Sequence, residues 1–177
     1  MVNNGIPLKN LVIFASGSGS NAEKIFEYFK DSTEVLITHI FSNNPEAGVI
    51  SRAERLAIPC TVFNRAEYKD GTLLKKIQSL NTDWVILAGF LWLIPSDFIQ
   101  AYPQRIVNLH PALLPKFGGK GMYGHFVHEA VVEAGEKESG ITIHFVNEHY
   151  DEGGIIFQSS FAVDPSDTPE DVAKKGQ

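Results

Sequence analysis

Five short apolar runs, at residues 11–15, 35–41, 60–63, 84–89 and 106–109, alternate with segments of helical periodicity, and this alternation constrains the chain more than any other feature. Parallel neighbours in a sheet cannot be joined by a tight turn, so a short apolar strand, a helix-length connection and another apolar strand form the pattern of a βαβ unit. In the first connection Ala22, Ile25, Phe26 and Phe29 fall at i, i+3, i+4 and i+7, while Glu23, Lys24, Glu27 and Lys30 take the opposite face. That spacing predicts a helix lying on a sheet. Residues 46–57, 68–80 and 95–101 supply further crossovers of suitable length. After Gly124 the pattern changes to one helix over about residues 125–134 and two apolar strands, 141–146 and 155–161, joined by a polar loop at 147–154. The expected fold is α/β: a doubly wound, mainly parallel sheet with antiparallel strands near the C-terminus.

A chain of 177 residues with 44% apolar and 11% aromatic content is enough for one core, and a single domain over residues 1–177 is expected. Fifteen basic against 21 acidic residues give a net charge of -6, which argues against nucleic acid as a partner and leaves any phosphate site to local geometry. Cys60 is the only cysteine and sits in an apolar run, which reads as a small buried filler in a reducing compartment. The start, with Asn3, Asn4 and Pro7, lacks a signal-peptide core, and no apolar stretch approaches a membrane span. A cytoplasmic location without membrane association is expected.

Two local motifs carry chemistry. In Asn108-Leu109-His110-Pro111 the asparagine and histidine stand two positions apart at the end of a strand, so their side chains share a face. An amide that can donate to a developing oxyanion, beside a base that titrates near neutrality, is minimal equipment for acyl transfer; the plainer alternative is a capped strand end with a surface histidine. The first strand runs into Ser16-Gly17-Ser18-Gly19-Ser20-Asn21 and then a helix, the arrangement in which backbone amides take up a phosphate. The same letters fit a dinucleotide fingerprint through Gly17, Gly19 and Ala22. The second strand ends Phe41-Ser42-Asn43-Asn44, without the acid or arginine a dinucleotide ribose requires, which favours a monophosphate cradle. A tight turn with Ser20 or Asn21 as helix cap would use the same residues. Asp151, in a loop followed by Gly153 and Gly154, is placed to orient His110 and raise its pKa; such loops are usually solvated turns.

Taken together these motifs resemble the phosphoribosylglycinamide formyltransferase family, the folate-dependent GAR transformylases of purine synthesis. The likeness runs in order through Ser16-Gly17-Ser18-Gly19-Ser20-Asn21, Phe41-Ser42-Asn43, Leu87-Ala88-Gly89-Phe90, Asn108-Leu109-His110-Pro111, Leu113-Leu114-Pro115, Gly140-Ile141-Thr142-Ile143-His144-Phe145-Val146 and Asp151. It implies transfer of a formyl group from 10-formyltetrahydrofolate, a co-substrate, to the glycinamide amine, with no covalent enzyme intermediate and no metal. Asn108, His110 and Asp151 would be catalytic; Gly19, Ser20 and Asn21 would hold the substrate phosphate. Arg65, Leu91, Trp92, Leu93, Ile94 and Asn108 would meet the folate, with Thr142, near a catalytic water, and His144 in support. Partners would be small molecules, and the protein a monomer or homodimer.

The chain departs from the family pattern in places. Trp92 stands where many members have arginine, implying a folate entrance lined by stacking rather than charge. The loop at residues 117–123 is longer than in the commonest form, with Lys120 a candidate phosphate contact, and Phe126 replaces a family histidine while His128 matches another. The family continues past Gln177 to a substrate-contacting glutamate, so a chain cut short of that end is expected. Formyltransferases acting on methionyl-tRNA or an amino sugar share the Asn-x-His pair and the aspartate but lack this phosphate loop. A non-catalytic folate- or nucleotide-binding module is the alternative from another class. His125, His128, His144 and His149 fit no tight metal-ligand spacing.

Overall fold

The computed structural model describes residues 5–177, which leaves Asn3 and Asn4 outside the described residues. Two compact units divide the chain, one comprising Met1–Leu91 and Pro95–Ile106, the other Trp92–Ile94 and Val107–Gln177. Among the described residues the strands are ordered 60–62, 35–42, 9–14, 84–88 in the first unit and 106–110, 138–145, 155–162 in the second.

In the first unit β1 (Lys9–Phe14), β2 (Val35–Ser42), β3 (Cys60–Val62) and β4 (Trp84–Ala88) are parallel. They are linked by α1 (Ser20–Phe29), α2 (Gly48–Arg55), α3 (Arg65–Lys69) and α4 (Thr72–Ser79), and α5 (Ser96–Ala101) follows β4. Because strand side chains alternate, β1 feeds both faces of the sheet. Leu11, Ile13 and Ala15 join Ala22, Val49 and Ala53 in one buried cluster, against which Ile25, Phe26 and Phe29 pack. Thus the predicted apolar stripe of α1 is the stripe that lies on the sheet. Phe14 points the other way, its ring 5.4 Å from Phe41, 5.7 Å from Phe63, 5.2 Å from Phe90 and 6.4 Å from Phe98. Offset and edge-on ring contacts of this kind add to the burial of large apolar surfaces. Apolar residues are therefore buried on both faces of the strand, as a doubly wound sheet requires.

The single crossover helix expected over 68–80 is instead two. Asp70 ends α3, and its carboxylate accepts the Thr72 N–H at 2.9 Å to start α4. Asn64 opens α3 with a capping box to Glu67, which places Arg65 at the first helical position. Cys60 is only half-buried, so it is a less complete filler than its apolar run implied.

The second unit is built from β5 (Ile106–His110), α6 (His125–Glu133), β6 (Glu138–Phe145), β7 (Ile155–Ala162) and α7 (Pro169–Lys175). Here β5 pairs antiparallel with β6, and β6 with β7, as the change of pattern after Gly124 predicted. Val131, Val163 and Val172 form its small core, with Phe117, Val132 and Phe161 packed around them. β6 begins three residues earlier than its apolar run suggests, because Glu138 and Ser139 pair with Ala162 and Phe161 of β7. Ile155, Ile156 and Phe157 of β7 remain about half exposed despite their apolar character.

Gly19 is a point of close approach within the first unit. It precedes α1 with φ 77°, and a Cβ there would lie 2.4 Å from Val49 Cγ2 and 2.8 Å from Val49 Cα. Replacement by alanine combines left-handed strain with a collision against backbone. Gly19→Ala is expected to lower the unfolding free energy, measured by urea titration, by about 3 kcal/mol; a loss below about 1 kcal/mol would contradict this packing.

Candidate active site

Two sets of residues were singled out in the sequence, and each unit carries one. In the first unit, Ser16 organises the glycine loop. Its N–H donates to Gly89 O at 3.0 Å, its hydroxyl donates to Asn43 Oδ1 at 2.7 Å, and that hydroxyl accepts the Leu91 N–H at 3.0 Å. Asn44 adds a bond from Nδ2 to Ser16 O at 3.3 Å. The asparagines that end β2 therefore brace the loop. From the other side Arg52 donates from Nε to Ser18 O at 2.7 Å, and with Arg55 it pairs with the Glu23 carboxylate. No side chain caps α1, so neither Ser20 nor Asn21 fills the capping role its position would allow. The first-turn amides thus point outward from a helix N-terminus where an anion is favoured.

The second set rests on the register of β5 and β6. Asn108 lies opposite His144, and His110 opposite Thr142, so four polar side chains share one face of an antiparallel pair. Asp151 joins them from the loop after β6 with φ 55°, a left-handed conformation that aspartate adopts more readily than most residues. Its Oδ1 lies 3.4 Å from His110 Nδ1, 3.5 Å from His144 Nε2 and 3.5 Å from Asn108 Nδ2, while Oδ2 accepts the Gly119 N–H at 3.0 Å. Asn108, His110, His144 and Asp151 are brought together as one cluster.

The partners of the rings assign their protons. His110 Nε2 is 2.8 Å from Phe117 O, and a carbonyl only accepts, so Nε2 carries the hydrogen and Nδ1 is bare in the neutral ring. By the same argument His144 donates from Nδ1 to Phe145 O at 2.9 Å, leaving Nε2 to accept the Asn108 amide at 3.0 Å. His144 is buried and hydrogen-bonded, and it also orients Asn108. Thr142 is used otherwise: its hydroxyl donates to Ala112 O at 2.6 Å and accepts from Leu114 N and Gln158 Nε2, each at 3.0 Å. It pins the turn after His110.

Burial holds His110 below the ordinary histidine range, with a smaller push from His144 in the same direction, while Asp151 and the Phe117 carbonyl pull upward without reversing it. Asp151 raises this pKa as the sequence led one to expect, and desolvation outweighs it. For Asp151 burial acts upward, yet His144, His110 and the Gly119 N–H together bring the carboxyl below its usual range. A neutral imidazole with a bare nitrogen beside an ionised carboxylate can take up a proton and have the resulting cation stabilised.

The remaining residues have separate places. Leu91 and Leu93 are about 40% exposed and Ile94 is buried, Leu91 belonging to the first unit and Trp92–Ile94 to the second. His125 pairs with Glu129 at 3.0 Å; His128 is buried, with Nδ1 lacking a hydrogen-bond partner among the described residues. No group of three or more His, Cys, Asp or Glu among the described residues is arranged to hold a metal ion, and no described helix is long and apolar enough to cross a membrane. The Phe117 carbonyl, the Gly119 amide and Gln158 were not legible as site residues, and the loop at residues 117–123 stood out only for its length.

A formyl transferase family model matches residues 9–177, which contain every residue of both sets. The chain belongs to the formyl transferase family. It is 47% identical over 174 residues to the Arabidopsis thaliana phosphoribosylglycinamide formyltransferase, chloroplastic, covering 94% of this chain and 60% of that relative. To the Haemophilus influenzae phosphoribosylglycinamide formyltransferase it is 33% identical over 171 residues, covering 93% and 78%. Among solved structures, the phosphoribosylglycinamide formyltransferase from Brucella melitensis aligns with a TM-score of 0.85 at 35% identity, over 96% of this chain and 88% of that one. Glycinamide ribonucleotide transformylase 1 from Symbiobacterium toebii gives 0.86 at 30% identity, over 95% and 80%. This formyl transferase chain spans 60% of the Arabidopsis relative and 55% of the Vigna unguiculata one.

Asp151 pulls the His110 pKa upward, so removing its charge deepens the depression that burial causes. Asp151→Asn is expected to make His110 titrate at lower pH than in the unmodified formyl transferase, followed by histidine-ring NMR. An unchanged or higher titration point would show that the two side chains are not electrostatically coupled.

Proposed function

We propose that this chain transfers the formyl group of 10-formyltetrahydrofolate to the amine of phosphoribosylglycinamide, giving N-formylglycinamide ribonucleotide in purine synthesis. The observation that carries this reading is the cluster of Asn108, His110, His144 and Asp151, in a chain similar along nearly its whole length to proteins named for that substrate and that group. The substrates are small molecules, the setting is the cytoplasm, and residues 1–177 form one formyl transferase domain that acts as a monomer or homodimer. The plant relatives are named chloroplastic.

In this reading the amine attacks the formyl carbon directly. Asn108 has two amide hydrogens, one committed to His144 at 3.0 Å and one loosely held at 3.5 Å from Asp151. The second turns to the oxyanion as the carbon becomes tetrahedral. His110 accepts the amine proton at Nδ1, and Asp151 stabilises the imidazolium and assists delivery of that proton to the departing N10. One C–N bond forms and one breaks, with a proton exchanged between the two nitrogens. Gly19, Ser20 and Asn21 take the substrate phosphate through uncapped backbone amides. Arg65 and the segment Leu91, Trp92, Leu93 and Ile94 take the folate, and the chemistry needs no metal ion. Binding both substrates at once supplies much of the acceleration.

The test follows the absorbance change as the formyl donor is consumed, with and without phosphoribosylglycinamide. Turnover dependent on that amine is expected, with Asn108→Ala lowering kcat by about 10²–10³-fold at nearly unchanged KM and His110→Ala by about 10²–10⁴-fold. Turnover with a different amine only, or binding of both ligands without turnover, would overturn the assignment.

A further inference from the structure

The loop that carries Gly118 and Gly119 enters the cluster with its backbone, which neither the motifs nor the proposed reaction uses. We propose that residues 117–119 are a positioning element: the Phe117 carbonyl decides which nitrogen of His110 carries the proton, and the Gly119 amide decides which oxygen of Asp151 faces the two histidines. The catalytic consequence rests on the formyl-transfer reading above, whereas the structural part does not.

A neutral imidazole beside a carboxylate ordinarily places its proton on the nearer nitrogen, so that it can donate to the carboxylate. For His110 that nitrogen is Nδ1, 3.4 Å from Asp151 Oδ1. A proton there would leave nothing to accept the amine proton at that position. The bond from Nε2 to Phe117 O at 2.8 Å is shorter and opposes that preference, keeping Nδ1 bare. On the carboxylate, the Gly119 N–H engages Oδ2 at 3.0 Å and leaves Oδ1 toward His110 and His144. Thus one short loop sets the proton on the base and the orientation of the acid.

The loop is held in place at both ends. The Phe117 ring packs against the Val131, Val163 and Val172 core, which fixes its carbonyl even though φ is 54°. Gly119 has φ 95°, so its amide reaches Asp151 from a conformation that few other residues adopt. Gly118 is the sensitive position: a Cβ there would meet Leu114 Cδ2 at 2.5 Å and Asp151 Cβ at 3.3 Å. A side chain at 118 presses on the aspartate without demanding a positive φ at that residue. Tyr123 is the control in the same loop: it is exposed and has no positive φ, so its replacement by alanine neither presses on the aspartate nor strains the backbone.

The test is a histidine-ring ¹⁵N NMR spectrum at neutral pH of the unmodified chain, Gly118→Val and Tyr123→Ala, with thermal melting to confirm folding. The expected result is a His110 signal with a protonated Nε2 and a bare Nδ1 in the unmodified chain and in Tyr123→Ala. In Gly118→Val the signal shifts toward a protonated Nδ1, and kcat falls about 10- to 100-fold with KM within about twofold, as displacement of a reacting group produces. If Gly118→Val fails to fold, Gly118→Ala makes the same contact with Asp151 and gives the reading. A protonated Nδ1 in the unmodified chain would overturn the proposal, as would a folded Gly118 variant with unchanged spectrum and kcat. An equal shift in Tyr123→Ala would also overturn it by assigning the effect to the loop in general. The spectrum needs no substrate, so failure of the positioning role and failure of the proposed reaction remain separate results.

Discussion

A carboxylate removed from water must be either protonated or given donors, and Asp151 has the Gly119 N–H and the Asn108 amide. One of its oxygens takes a backbone amide from the loop at 119, and the other is placed among Asn108, His110 and His144. Each of these contacts constrains something else. The amide fixes the loop, the loop's carbonyl fixes the proton of His110, and the oxygen left beside His110 Nδ1 is placed to stabilise a proton that this nitrogen takes up. Without an ionised Asp151 the bare nitrogen of His110 would face a neutral acid, and the asymmetry that makes the imidazole a base would disappear.

The β-sheet contributes register more than residues. Pairing of Asn108 with His144 and of His110 with Thr142 follows from the antiparallel alignment of β5 and β6, and a slip of either strand by one position would send its two residues to the opposite face. Thr142 and Gln158 hold this alignment at the point where β5 ends, through bonds to Ala112 O and Leu114. In the first unit the comparable support is Ser16, which ties the glycine loop to the ends of β2 and β4. Both sets of residues are thus held by hydrogen bonds to the backbone that follows a strand, which suits groups that must not drift by fractions of an ångström.

Much of this was legible in the chain itself, for physical reasons. The apolar stripe of α1 and the paired positions of Asn108 and His110 follow from helical and strand periodicity, which survive packing. The break between α3 and α4 was not legible, because a turn stabilised by Asp70 interrupts a pattern that remains periodic on either side. The early start of β6 depends on pairing with β7, a long-range effect that the polar residues Glu138 and Ser139 conceal. The upward pull of Asp151 on His110 was legible, whereas the burial that outweighs it cannot be read from neighbours in sequence. The carbonyl of Phe117 and the amide of Gly119 are invisible for a simpler reason: every residue has a carbonyl, nearly every residue has an N–H, and only the fold decides which ones matter.

The most direct test of the account is the ionisation state of Asp151, read by isotope-edited infrared spectroscopy with Asp151→Asn as the subtraction. The account predicts a carboxylate band that persists from neutral pH to below the ordinary aspartate range of about 4. A protonated carboxyl band at neutral pH would contradict it, because the amide, the two rings and the asparagine would then be arranged around a neutral acid.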